Sequence, residues 1–208
     1  ARELMELHTL GVDNGYTQED VINVAKCLTG WTMRRRQGGG FEFDRAMHCP
    51  GDKKVFGQVI KENKANPIAE GEEVLNRLKA SEGTARFLSW KLVRWLVNDS
   101  PDEAMVARVA KVWHGTGGDI PKVLRAIVDD PEFFARRNFR AKFKRPLEFV
   151  ASALRATKAD FKNLLHVEQA LVGMSEPLYR CADPTGFYDQ AEAWFDPGSL
   201  ARRWTFAT

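Results

Sequence analysis

The sequence predicts a mostly α-helical bundle with one irregular insertion near its front, at about residues 32–68, that has room for a short β-hairpin. Three observations predict it. From residue 69 onward apolar side chains recur at three- and four-residue spacing, the period of a helix buried along one face. Residues that start and stop helices punctuate that region. Within 32–68 the helical period fails, and Gly38-Gly39-Gly40, the alternating Phe41-Glu42-Phe43 and Pro50-Gly51 take its place.

Taken in order, Arg2–Leu10 reads as a helix already under way, with Gly11 at its C-cap and no cap or initiating Met ahead of it. That headless start predicts the C-terminal part of a longer chain. Thr17-Gln18-Glu19-Asp20 opens a second helix with Val21, Val24, Ala25 and Leu28 on one face. In the insertion, Thr32–Arg36 is set to pair with Phe41–Asp44. Helices follow over Glu72–Lys79 and Thr84–Val97. The next starts at a capping box, Ser100-Pro101-Asp102-Glu103, and runs to about His114. Asp119 caps another, with Val123, Leu124 and Ile127 inward. Pro131–Phe134 is a short helical turn. Pro146–Thr157, Asp160–Met174 and a short helix near Leu200 complete the set. No internal repeat is present, so 1–208 reads as a single helical domain.

A chain of 208 residues buries enough surface to fold without metal or disulfide. At 44% hydrophobic and 28% charged it is neither disordered nor collagen-like. No apolar run reaches the roughly 18 residues of a membrane span, and the first residues do not form a signal peptide. The net charge of +3 argues against nucleic acid as the partner. Cys27, Cys49 and Cys181 allow at most one bridge and form no C-x-x-C pair, which leaves the state of Cys49 and Cys181 open.

Three groups of residues carry candidate chemistry. His8 shares a helical face with Leu4 and Leu7. Its simplest reading is a buried imidazole satisfied by backbone; the sharper one joins it to Glu3 or Glu6 in an acid/base or metal site. The segment Asp44–Lys54 gathers Asp44, His48, Cys49 and Asp52 on a loop, where thiolate, imidazole and carboxylates suit a divalent metal or a nucleophile/base couple. His48 and Cys49 are adjacent, however, and in extended chain they face opposite ways unless Pro50 turns it. The simpler reading is a loop pinned by His48 hydrogen bonds and a Lys ion pair. The third group is basic: Arg34-Arg35-Arg36, then Arg136, Arg137, Arg140, Lys142, Lys144 and Arg145 interleaved with Phe139 and Phe143. Cations among aromatics bind polyanions, although a solvated turn with the Phe rings inward is the simpler account. Trp90, Trp95 and Trp113 read as core, whereas Trp194 and Trp204, in or beside a Pro/Gly loop, read as walls of a groove.

With these residues in place the chain resembles the bacterial domain of unknown function 1800 family from end to end. The likeness rests on Ala1–Val12, Tyr16-Thr17-Gln18, Leu28-Thr29-Gly30-Trp31, His48, Pro50-Gly51, Lys54 and Gly57. It continues through Thr84–Phe87, Lys91-Leu92, Gly118-Asp119, Pro131-Glu132-Phe133, Lys144, Pro146 and Glu148. It closes with Pro184–Tyr188, Trp194, Pro197-Gly198 and Ala201-Arg202. The family pattern has Asp after the loop histidine where this chain has Cys49. The resemblance implies a helical bacterial protein, often exported to the periplasm or beyond, frequently encoded beside a sulfatase-like or phosphatase-like protein. It implies no reaction.

Three functions are therefore in view. The first is a non-catalytic module at the cell envelope whose partner is another protein or the missing N-terminal part of the same chain, with Lys54, the 136–144 cations and Trp194 as binding residues. The second is a metal-assisted hydrolase in which His8 and His48 converge, with Glu3, Glu6, Asp44, Asp52 or Cys49 as further ligands or acid/base groups. The third is a polyanion binder through 34–36 and 136–145.

Overall fold

The computed structural model describes residues 1–12, 14–34, 38–160 and 163–208. Arg35 and Arg36 of the first basic run, and Phe161 and Lys162 of the predicted 160–174 helix, lie outside the described residues. The fold is mostly α, as the periodicity predicts, with two small antiparallel strand pairs in the insertion. Its internal contacts divide it into two compact units, residues 1–90 with 106–126, and residues 91–105 with 127–208.

In the first unit α1 spans Arg2–Glu6 and is shorter than the sequence suggests. The chain turns early because the Leu10 and Gly11 amides both donate to the Met5 carbonyl, at 2.7 and 3.1 Å. Gly11 sits at φ 87°, and a Cβ there would meet the Phe87 ring at 3.0 Å, so only glycine closes this turn without displacing the ring. Helix α2, Gln18–Cys27, starts at a reciprocal box. The Thr17 hydroxyl accepts from the Asp20 amide at 3.1 Å, and Asp20 accepts from the Thr17 amide at 2.8 Å.

The insertion holds two hairpins where one is predicted. Strands β1 (Trp31–Met33) and β2 (Phe41–Phe43) pair in the predicted place. Strands β3 (Lys53–Val55) and β4 (Gln58–Ile60) form the second pair. Their two-residue turn has positive φ at both Phe56 and Gly57, 54° and 75°, the conformation that matches strand twist. The Phe56 amide donates to Asp20 at 2.7 Å, and α2 packs on β3 and on α3, Ile68–Ala80. Met5, Leu10, Val21, Val24, Cys27, Val55, Ile60, Val74 and Leu78 form the core between these elements. Helix α4 spans Glu82–Leu96 and α5 spans Glu103–Thr116. The Met105 amide donates to Asp102 at 2.8 Å, so Asp102 rather than Ser100 caps α5, and Pro101 lies outside the helix. Trp113 of α5 is buried, and its indole N–H donates to the Lys79 carbonyl at 3.1 Å. Asp119 caps α6, Ile120–Asp129, by accepting from the Lys122 amide.

In the second unit α7 (Pro146–Thr157), α8 (Leu165–Gly173) and α9 (Pro197–Ala207) pack in sequence. Val150, Leu171 and Met174 form their core, flanked by Phe149, Leu154, Val167 and Phe206. Pro146 and Pro197 each open a helix, where a missing N–H costs nothing. Pro131–Phe134 forms turns rather than a helical segment. No described helix is long and apolar enough to cross a membrane.

Candidate functional site

The loop histidine is the point on which the insertion closes. Asp44 caps a single 3₁₀ turn, Arg45–Met47, by accepting from the Ala46 amide at 2.9 Å, and this delivers His48 inward. Its Nδ1 lies 2.9 Å from the Thr29 carbonyl and its Nε2 lies 3.2 Å from Glu70 Oε2. Lys53 joins them from β3: Nζ donates to Glu70 Oε2 and to the Cys49 carbonyl, both at 2.5 Å, and stands 3.4 Å from His48 Nε2. The other Glu70 oxygen accepts from the Asn63 amide at 2.8 Å, and the Thr29 hydroxyl accepts from the Cys49 amide at 2.8 Å.

Charges this deep survive only when paired and hydrogen-bonded. Here the side chains of His48, Lys53 and Glu70 are 6%, 1% and 1% exposed. Burial pushes the Glu70 carboxyl up, but the Asn63 amide, the Lys53 ammonium and His48 together hold it below its ordinary value of 4.5. Burial likewise pushes Asp20 up, and its bonds from Thr17 and the Phe56 amide bring it below 3.8. Both carboxyls therefore bind protons less readily when folded than when unfolded. Their stabilisation is complete above the unfolded values and is lost as pH falls through the folded ones. Urea midpoints should hold from pH 7 to about 5 and fall below about 4.5. In Glu70→Gln the fall should be shallower; an acid limb identical to wild type would refute the assignment.

The other predicted residues are dispersed. His8 is exposed in the turn after α1 instead of buried; Glu3 is exposed too, and Glu6 pairs with Arg2 at 3.9 Å. Asp52 accepts from Lys61 Nζ at 2.6 Å and from the Glu62 amide at 2.9 Å. Cys49 Sγ lies 3.7 Å from the Pro50 carbonyl, and all three cysteines are unbonded. Burial pushes the Cys27 thiol up to about 11, which keeps it a protonated core group. Among the described residues no three His, Cys, Asp or Glu side chains gather as a metal-binding set. Around His48 the cation position is filled by the Lys53 ammonium, whose charge opposes a metal at Nε2. Lys54 points outward from β3 while its carbonyl accepts from Asn23 at 2.9 Å.

In the second unit much of the basic run is consumed internally. Lys142 pairs with Asp99, and Arg137 pairs with Asp102 at 3.2 Å and with Glu132. Arg145 lies over the Trp95 ring at 4.5 Å and reaches Glu176 at 3.5 Å. Lys144 is exposed, and its carbonyl accepts from Arg203 at 2.7 Å. Trp194 is buried rather than open, its N–H donating to the Tyr188 carbonyl at 3.0 Å.

The residues that sequence reasoning missed are Lys53 and Glu70. Strand alternation carried the signal for the first, because Lys53 shares a face with the core residue Val55. Nothing local marks Glu70, whose partners lie 17 and 22 residues upstream.

A family model described as "Protein of unknown function (DUF1800)" matches residues 1–208. Comparison with curated proteins and with solved structures gives no match.

Proposed function

We propose that this chain, which belongs to the DUF1800 family over residues 1–208, acts as a non-catalytic module that binds a protein partner in the cell envelope or along the export route. The observation that carries this reading is the closure of the His48–Lys53–Glu70 cluster. A general base or a metal ligand must reach its substrate or ion, and this imidazole has both nitrogens engaged inside a wall. The cluster's chemistry goes into holding the insertion on α2 and α3. Support also comes from aromatic side chains left open to solvent in the second unit, Phe134 at 81%, Phe139 at 74% and Trp204 at 75%. Large exposed rings are characteristic of surfaces that another protein covers. The resemblance to often-exported proteins supports the envelope setting.

Cross-linking in the native host should return one stoichiometric partner, in the envelope fraction. A chain that remains uncross-linked at native abundance would overturn the reading. The competing reading, a divalent-metal hydrolase through His8 and His48, requires metal in protein purified without chelator and a hydrolysis that His48→Ala abolishes.

A further inference from the structure

The turn that follows α6 builds a groove of about 310 Å³, lined by Leu96, Val97, Phe133, Phe134, Asn138 and Phe139 among others. It is apolar and open. Phe134 packs edge-on against Phe133, ring centroids 4.9 Å apart, yet most of its own surface meets solvent. Arg140 takes a left-handed backbone conformation, φ 58°, that residues with a Cβ seldom adopt. Both Phe139 and Arg140 are exposed there, with the guanidinium 5.3 Å from the Phe139 ring centroid.

Charge around this groove is unbalanced in a specific way. Asp99 is taken by Lys142, and Asp102 and Glu132 are taken by Arg137. Arg136 and Arg140 are exposed, and no described carboxylate pairs with either. Arg140, without a counter-charge, therefore lines an apolar trough, and Arg136, also without one, follows the lining residue Ala135 in the chain. Guanidinium forks pair with carboxylates in a bidentate geometry, and the trough accepts a large apolar side chain. A bilayer presents a broad, flat interface, whereas a concavity of this size fits one or two side chains of a peptide.

We infer that the Phe133–Lys142 groove binds an acidic peptide segment of a partner protein, with an aromatic or aliphatic side chain seated among the Phe rings and carboxylates on Arg136 and Arg140. This deepens the module reading and rests on it.

The probe is a short fluorescein-labelled peptide of alternating Glu and Phe, followed by anisotropy on the whole chain. Its affinity should fall about tenfold or more in Arg136→Ala/Arg140→Ala, and as much in Phe134→Ala/Phe139→Ala. All four side chains are exposed, so both variants should melt with the wild type, which separates lost binding from lost folding. Raising the salt from about 50 to 200 mM should weaken wild-type binding severalfold. Equal affinity for the peptide with Lys in place of Glu, or unchanged affinity in both variants, would overturn the proposal. Sedimentation with phosphatidylserine vesicles in the absence of peptide binding would overturn it in favour of a membrane surface. Native cross-links that persist when all four residues are replaced would remove this groove and leave the module reading standing.

Discussion

Glu70→Ala should destabilise the first unit by about 3–5 kcal/mol, the cost of leaving one member of a buried ion pair without its partner. Glu70 accepts from Lys53, from the Asn63 amide and from the His48 side, and it is 2% exposed. Its loss leaves a buried ammonium group without a counter-charge, with only neutral acceptors, the Cys49 carbonyl and His48 Nε2, within reach. Urea denaturation followed by tryptophan fluorescence measures the effect. The control is Lys53→Met combined with Glu70→Leu. Removing both charges leaves no unpaired ion and only neutral groups (the Asn63 amide, His48 Nε2 and the Cys49 carbonyl) without these partners, so the double variant should recover much of the loss. A Glu70→Ala midpoint within error of wild type would mean that the cluster contributes nothing to holding the insertion.

The second large effect is expected in the C-terminal loop. Trp194 is 4% exposed, donates its N–H to the Tyr188 carbonyl and packs 6.1 Å from the Phe187 ring. Trp194→Ala removes the largest side chain in that loop and leaves the Tyr188 carbonyl without its indole donor. A loss of about 3–5 kcal/mol follows. Trp204, 75% exposed on α9, provides the contrast, because Trp204→Ala should fall within about 0.5 kcal/mol of wild type. Thermal melts of the two variants side by side decide the matter, and equal stabilities would reverse the roles given to these indoles.

Helices were legible in the sequence because a helix states its case locally. The apolar period over α3, α4 and α7 and the caps Thr17 and Asp119 need nothing from the rest of the chain. Where two local signals competed the sequence misled. Ser100-Pro101-Asp102 contains two capping residues, and the structure starts α5 from the second. At α1 the period ran on to Leu10, but the Gly11 turn pulls the chain back onto Met5 and the helix ends at Glu6, four residues before the pattern does. The second hairpin is three residues a side and carries too few alternations to read.

The cluster was half legible for a different reason. His48 drew attention as a chemistry-bearing residue on a loop, and the reading of it as a hydrogen-bonded pin beside a Lys ion pair comes close to its geometry. Which lysine, and which carboxylate, depends on long-range closure. Asp44 and Asp52 are near in sequence but spend their oxygens on the Ala46 and Glu62 amides. Glu70 arrives from a helix that only the folded insertion brings alongside.

The first unit is written in two instalments, with residues 106–126 returning to it after the chain has left at Trp90. Trp113, which closes over the Lys79 carbonyl and against Gly118, belongs to the second instalment. A fragment cut at residue 90 would thus be missing one of its own walls. Expressing residues 1–90 alone would separate them from residues 106–126, which belong to the same compact unit.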